Sequence, residues 1–193
     1  YEFILDTGGF NLLDEKLADE LGIKGTRTIE IDDSQGNKRK TPILKLAELE
    51  IAGINFQETG TGIVDFKELN ALSCLELEGM IGANLMQNAI WTIDYQQQEI
   101  TISHSMAAFE IPANSHSISF TTSTLKSPDI EVSVDGQVEE EVEIDLGSTG
   151  GFKLAKTTFE KLTTQKTTSG TGLLSAGLYG YGKPETTYFA MIN

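Results

Sequence analysis

The sequence has very little cysteine and histidine, and it has no long hydrophobic run. Among 193 residues there are one cysteine, Cys74, and two histidines, His104 and His116. A single cysteine excludes an intrachain disulfide, and so few soft ligands argue against a structural zinc site. No apolar stretch approaches the roughly 20 residues of a transmembrane helix. We therefore expect an ordinary hydrophobic core and no transmembrane segment.

Basic residues are also scarce. Lysine and arginine total 14 against 29 aspartates and glutamates, which gives a formal net charge of -15. A nucleic-acid partner would require a basic face to neutralise phosphates, so this charge balance argues against one. Hydrophobic residues still make up 39% of the chain. That content predicts a globular protein and not a disordered acidic tail.

Short apolar strands separated by turns account for most of the sequence, which predicts a mainly β fold. A polar turn at residues 33–38 predicts a long hairpin, and Asp135-Gly136 predicts a second one. Only two brief helices are expected, at Asp14–Leu21 and Ala155–Leu162.

Both ends of the sequence have the character of strands. It opens with Tyr1-Glu2-Phe3-Ile4-Leu5 and closes with Tyr188-Phe189-Ala190-Met191-Ile192-Asn193. We therefore expect the sequence to be a fragment that lacks residues at both ends. The absence of a leader sequence is then uninformative about the compartment.

A repeat is the most informative feature. Phe3-Ile4-Leu5-Asp6-Thr7-Gly8 and Val142-Glu143-Ile144-Asp145-Leu146-Gly147 both place Asp-x-Gly after an apolar strand, 139 residues apart. Both copies continue through a phenylalanine and a leucine towards a short helix. The repeat predicts two similar lobes, at residues 1–108 and 109–193, joined by a polar linker.

Two equivalent aspartates suggest a specific chemistry. Carboxylates a few ångströms apart cannot both ionise, so they share one proton. The charged partner can then activate a water molecule, while the protonated partner donates to the carbonyl under attack. Asp6 and Asp145 are the candidates for this pair.

The motifs resemble those of aspartic proteases of the retropepsin type. Phe3–Gly9 resembles the active-site strand and loop, and Met80-Ile81-Gly82-Ala83-Asn84-Leu85-Met86 resembles the element that closes a retropepsin lobe. The hairpin near Gly36 occupies the place of the flap. The resemblance implies two retropepsin-like (acid-protease) lobes in one chain, of the closed β-barrel type with short helices. Single-chain, two-lobed bacterial proteins are the nearest type, with the cell envelope or periplasm as the favoured location.

The resemblance also implies roles for individual residues. Asp6 and Asp145 would be the catalytic pair, and Thr7 would brace the opposite loop through its hydroxyl. Neither a metal nor a cofactor is implied, and a monomer suffices because one chain supplies both aspartates. The remaining assignments are Gly8, Gly147, Ser148, Ile81 and Gly82 as motif support, with Gly36, Tyr179 and Tyr181 in the flaps that contact a peptide or protein substrate.

The second copy departs from the family pattern in two ways. Leu146 stands where a threonine or serine is expected, so the brace between the loops would be one-sided. The second closing element would fall near residue 221, beyond the last residue given, and the first lobe lacks an initial strand. These observations leave three readings open. The chain is an aspartic endopeptidase, a catalytically weak retropepsin-like protein that binds peptides or proteins, or a carbohydrate-binding or structural β module.

Overall fold

A computed structural model describes residues 1–162, 167–173 and 175–190 of this chain. Strands hold 42% of the residues and helices 14%, so the mainly β prediction is confirmed. Residues 191–193 of the predicted terminal strand lie outside the described residues. No helix within the described residues is both long enough and apolar enough to cross a bilayer.

Strands β1 to β8 and helices α1 to α3 belong to the first part of the chain. The strands are β1 (Phe3–Asp6), β2 (Leu12–Asp14), β3 (Arg27–Asp32), β4 (Lys38–Ile51), β5 (Ile54–Val64), β6 (Gly79–Gly82), β7 (Ile90–Asp94) and β8 (Glu99–Ser103). The helices are α1 (Glu15–Glu20), α2 (Lys67–Ser73) and α3 (Ala83–Met86).

The second part of the chain contains shorter elements. After a 3-10 turn at Met106–Ala108, its strands are β9 (Thr121–Thr122), β10 (Pro128–Val134), β11 (Val138–Glu143), β12 (Thr167–Leu173), β13 (Ala176–Gly177), β14 (Gly180–Tyr181) and β15 (Glu185–Ala190). Helix α4 is Lys156–Phe159.

The largest sheet curls into a half-barrel. Its strand order is β1-β6-β2-β5-β4-β3, with β1 and β3 at the two edges. The expected closed barrel is wrong for the described residues, because these two edge strands do not pair with each other. The other sheets are smaller: β11-β10-β9, and the pairs β12-β15, β13-β14 and β7-β8.

The main hydrophobic cluster lies against this half-barrel and includes a side chain from far along the chain. Its buried members are Leu12, Val64, Phe66, Leu77, Met80 and Tyr179. Five of them come from residues 12–80, and Tyr179 comes from the turn between β13 and β14. The two parts of the chain therefore share one apolar cluster.

Local chemistry explains the first helix. Asp14 caps α1 by accepting a hydrogen bond from Lys16 N at 3.0 Å, and its other oxygen accepts from Phe66 N at 3.0 Å. Leu17 and Ala18 are its buried residues. Gly22 follows with φ +68°, the left-handed conformation in which glycine carries no steric penalty. The predicted helix at this position is confirmed.

Other predicted elements fit less closely. The hairpin around Asp135-Gly136 is confirmed, and both of these residues have positive φ. The second helix shrinks to four residues, consistent with the threonines in it. Helix α2 was not predicted. Its signals are weak but present, because Leu69 and Leu72 are partly buried three residues apart and Asp65 accepts a hydrogen bond from Lys67 N at 2.9 Å.

Gly82 provides a test of how tightly β6 packs. A methyl group there would lie 2.3 Å from the carbonyl carbon of Phe10 and 2.4 Å from Asn11 N, both backbone atoms. We expect Gly82→Ala to lower the free energy of unfolding by about 2 kcal/mol or more, as overpacking does. Denaturant titration measures this change.

Gly151→Ala is the matched control for that substitution. Gly151 has open space around the position of a methyl group and needs no positive φ. We expect its free energy of unfolding to change by no more than about 0.5 kcal/mol. Equal effects at the two glycines would contradict the close packing of β6.

Candidate active site

Asp6 is the last residue of β1, and the sheet holds it from one side. β1 pairs in parallel with β6, so that Leu5 lies beside Ile81 and Asp6 beside Gly82. After Asp6 the chain turns, with Gly9 N donating to Asp6 O at 3.3 Å. Gly8 N donates to Asp6 Oδ1 at 2.9 Å, which fixes the carboxylate against its own loop.

Asp145 has the same local hydrogen bonds. It follows β11, and Gly147 N donates to its Oδ1 at 2.8 Å. Ser148 N donates to Asp145 O at 3.3 Å, as Gly9 N does to Asp6 O. The repeat seen in the sequence therefore corresponds to two loops with the same hydrogen-bonding pattern. The Ser148 hydroxyl accepts from Gly150 N at 3.3 Å.

The two loops face each other across the carboxylates. A methyl group at Gly8 would lie 2.7 Å from Cγ of Asp145, and one at Gly147 would lie 2.6 Å from Cγ of Asp6. Each motif glycine thus packs against the aspartate of the opposite loop. Any side chain at either position would push the loops apart, so the contact requires glycine.

Thr7 joins the two loops through its hydroxyl. Thr7 Oγ1 donates to Ile144 O at 2.5 Å and accepts from Leu146 N at 2.9 Å. One side chain therefore bridges the peptide groups on both sides of Asp145. Leu146 has no hydroxyl with which to return the interaction.

Ile81 and Gly82, which the resemblance assigns to the closing element, lie on β6 beside Leu5 and Asp6. Gly82 lies against the backbone of Phe10 and Asn11, and Ala83 N donates to Gly9 O at 2.9 Å. Asn84 then accepts from Asn11 N at 2.7 Å and donates to Gly60 O at 2.8 Å. The loop that carries Asp6 is thereby tied to β6, α3 and β5.

The environment of the pair alters its acidity. Burial raises the pKa of Asp6 to about 7, helped by the charge of Asp145 and by a hydrogen bond that the protonated Asp6 donates to the Asp145 carboxylate. The Gly8 amide acts in the opposite direction, and the charge of Glu143 adds a small further rise. Asp6 therefore keeps its proton to near neutral pH, which is the behaviour of two carboxyl groups that share one proton.

Glu143 is a neighbour of the pair that the sequence reasoning missed. Its Oε1 would lie 3.0 Å from a methyl group at Gly8, on the same side as the Asp145 carboxylate. Burial raises its pKa; the Ser127 side chain lowers it, and the charges of Asp145 and Asp129 raise it further. The signal was available, because the 139-residue offset aligns Glu143 with the apolar Ile4.

No protein-family model, curated protein or solved structure matches this chain. The function of the site is therefore inferred from its own geometry.

The three residues assigned to the flaps have different surroundings. Gly36 lies at the outer end of the first hairpin with φ +74°, and a methyl group there would meet nothing within 4 Å. Tyr181 is 58% exposed, whereas Tyr179 is only 5% exposed. The structure brings Tyr179 into the apolar cluster of the first part of the chain, and leaves Gly36 and Tyr181 on the surface.

The Thr7 bridge can be tested by removing its hydroxyl. We expect Thr7→Val to lower the free energy of unfolding by about 1–3 kcal/mol, because Leu146 N and Ile144 O lose a partly buried partner. Thr7→Ser keeps the hydroxyl and should retain most of the stability. Thermal or denaturant unfolding measures both, and a loss in Thr7→Ser as large as that in Thr7→Val would contradict a specific role of the hydroxyl.

The raised pKa of Asp6 predicts a pH dependence of stability. A carboxyl group whose pKa is higher in the folded than in the unfolded state favours folding at low pH. That contribution is lost as the pH rises from about 4 to about 7. Relative to the wild type, Asp6→Asn should therefore gain stability over this interval. Denaturant titrations at pH 4, 5.5, 7 and 8 measure the difference.

Asp19→Asn is the control for the loss of one negative charge. Asp19 is exposed on α1 and lies outside the candidate site. If both variants differ from the wild type by amounts that change equally with pH, burial of Asp6 is not the cause.

Proposed function

We propose that this chain is an aspartic-type peptidase that hydrolyses peptide bonds with a water molecule activated between Asp6 and Asp145. The observation that supports this most directly is the reciprocal packing of the two loops, in which Gly8 lies on Asp145 and Gly147 lies on Asp6. Isolated Asp-x-Gly turns are common and carry no such implication. Two of them, with matching hydrogen bonds and facing carboxylates, are what general acid–base hydrolysis by a pair requires.

The raised pKa of Asp6 suggests how the proton is distributed. Asp6 holds the shared proton up to about pH 7, and the charge of Asp145 is one cause of this. In the first step Asp145 takes a proton from the water, whose oxygen attacks the carbonyl carbon, while Asp6 donates its proton to the carbonyl oxygen. The tetrahedral intermediate then collapses and the C–N bond breaks, as Asp145 gives its proton to the leaving nitrogen and Asp6 takes a proton from a hydroxyl of the intermediate. The pair needs neither a metal nor a covalent intermediate for these steps.

The fold is consistent with this proposal at a coarser level. The three motifs on which the retropepsin resemblance rests lie on β1 and its loop, on β6 with α3, and on the hairpin of β3 and β4, and all of these strands belong to the curled sheet. We propose that residues 1–108 and 109–193 act as two retropepsin-like lobes, each of which supplies one aspartate. A peptide or protein is the substrate class that this reading implies.

A second function is favoured by Leu146. Because Leu146 returns no hydroxyl to Thr7, the bridge between the loops depends on a single side chain. Looser positioning of the two carboxylates would reduce hydrolysis more than binding, since catalysis depends on small displacements. The chain would then be a retropepsin-like protein that binds peptides but cleaves them poorly.

Cleavage of a mixed peptide library distinguishes the two functions. We expect hydrolysis by the wild type, and a loss of at least about 100-fold in both Asp6→Asn and Asp145→Asn, the range for loss of a general acid or base. Asp19→Asn should cleave at the wild-type rate. Mass spectrometry of the products measures the rate of cleavage by each of the four proteins.

The pH profile provides an independent check on cleavage. Because the proton on Asp6 is lost near pH 7, activity should be highest below neutral pH and should fall as the pH rises beyond about 7. Hydrolysis that is unaffected by either aspartate substitution, or that is constant from pH 5 to pH 9, would rule out the peptidase. Binding of the library without cleavage would favour the second function.

A further inference from the structure

Tyr179 is buried in a pocket formed by a distant part of the chain. It is one of the two residues at the turn between β13 and β14, which pair Gly177 with Gly180. Its ring packs in the cluster of Leu12, Val64, Phe66, Leu77 and Met80, and it is 5% exposed. A large aromatic side chain at a short surface turn is normally solvent-exposed, so its insertion needs an explanation.

The pocket also offers polar groups that suit a tyrosine. The hydroxyl of Tyr179 lies 3.1 Å from Thr41 Oγ1, and Thr41 is 2% exposed. The guanidinium carbon of Arg39 lies 4.9 Å from the centre of the ring, and Arg39 also pairs with Glu68 at 3.2 Å. The site therefore combines apolar walls, a hydrogen-bonding group at the far end and a cation over the ring face.

This pocket adjoins the candidate active site. A methyl group at Gly9 would lie 2.9 Å from Sδ of Met80 and 2.5 Å from Oδ2 of Asp6. Met80, which lines the pocket, and the carboxylate of Asp6 thus border the same small space. Met80 therefore connects the pocket that holds Tyr179 to the carboxylate of Asp6.

The turn that carries Tyr179 is held by the buried ring of that residue and by a few polar contacts. Tyr179 N donates to Asp33 Oδ2 at 3.0 Å, and Ser175 Oγ donates to Gln35 Oε1 at 2.5 Å. Among the described residues, β13 and β14 pair with each other and not with the six-stranded sheet. The turn can therefore leave without breaking that sheet. The bond from Ser175 joins two neutral side chains, whereas the bond from Tyr179 N has a charged acceptor and is the stronger of the two.

We infer that Tyr179 is an internal occupant of a pocket that receives an aromatic side chain of a peptide substrate, and that the substrate must displace it. The inference rests on the proposed function in that it assumes a peptide binds beside Asp6 and Asp145. The closed arrangement of Tyr179 then competes with the substrate. A preference for peptides with tyrosine or phenylalanine follows from the chemistry of the pocket.

Removal of the occupant tests the inference. In an Asp6→Asn background, which prevents cleavage, Tyr179→Ala is compared with Tyr95→Ala by fluorescence anisotropy. The probes are labelled nine-residue peptide pools with uncharged flanks and either tyrosine or alanine at the centre. We expect Tyr179→Ala to bind the tyrosine-centred pool at least about tenfold more tightly than the background protein does. The alanine-centred pool should show no such gain.

Tyr95→Ala is the matched control, because Tyr95 is 77% exposed in the turn between β7 and β8. Its affinity for both pools should equal that of the background. If Tyr179 is only a fixed core residue, Tyr179→Ala will be folded by circular dichroism and gain no affinity, which overturns the inference. An equal gain for both pools would also overturn it, since the pocket would then have no preference for aromatic groups.

Ser175→Ala decides the question if Tyr179→Ala does not fold. Ser175 is exposed, and the substitution removes only its hydrogen bond to Gln35. Loss of about 1 kcal/mol from the closed arrangement should tighten binding of the tyrosine-centred pool by about fivefold. Unchanged affinity in Ser175→Ala would overturn the inference in that case.

The outcome is separable from that of the proposed function, because binding is measured without cleavage. Tighter binding in Tyr179→Ala together with a wild type that never cleaves would support the occupied pocket and refute hydrolysis. Cleavage by the wild type with no gain in Tyr179→Ala would leave hydrolysis standing and refute the occupied pocket.

Discussion

The contact between the two aspartate loops is the interaction on which the candidate site depends. Two carboxylates are brought together where water is partly excluded, and this arrangement is unfavourable unless a proton lies between them. Backbone amides of Gly8 and Gly147 each satisfy one oxygen of their own aspartate, and Thr7 fastens the loops together. The close packing of β6 against Gly9 and Phe10 supports the loop that carries Asp6. Together these contacts offset the cost of holding like-charged groups in contact.

Local features of this fold could be predicted from the sequence because local chemistry determines them. Asp14 and Gly22 delimit α1 through a capping hydrogen bond and a positive φ, and Asp135-Gly136 turns a hairpin for a similar reason. The repeat predicted two equivalent loops, because the hydrogen bonds from Gly8 to Asp6 and from Gly147 to Asp145 span only two residues. The sequence could not show that the loops touch, since that contact spans 139 residues.

The incorrect or missing predictions have long-range causes. Closure of the barrel would require β1 to pair with β3, and no local pattern encodes which edges of a curled sheet will meet. The burial of Tyr179 depends on partners between Leu12 and Met80. Glu143 was overlooked because three glutamates precede it at residues 139–141, and such a run is typical of a solvated strand end. Only comparison with Ile4 in the first copy distinguishes it from that run.

Asp33 shows how the contact between the tip of the β3–β4 hairpin and the β13–β14 turn can be both specific and reversible. Its Oδ1 accepts from Gln35 N and Asn37 N, while Oδ2 accepts from the Asn37 side chain and from Tyr179 N. Burial opposes the charge of Asp33, yet these hydrogen bonds lower its pKa. Three of the four bonds lie within the β3–β4 hairpin itself. The tip of this hairpin is therefore already ordered without the β13–β14 turn. Little conformational entropy is then lost by the hairpin on contact, and the cost of association falls mainly on the turn that moves.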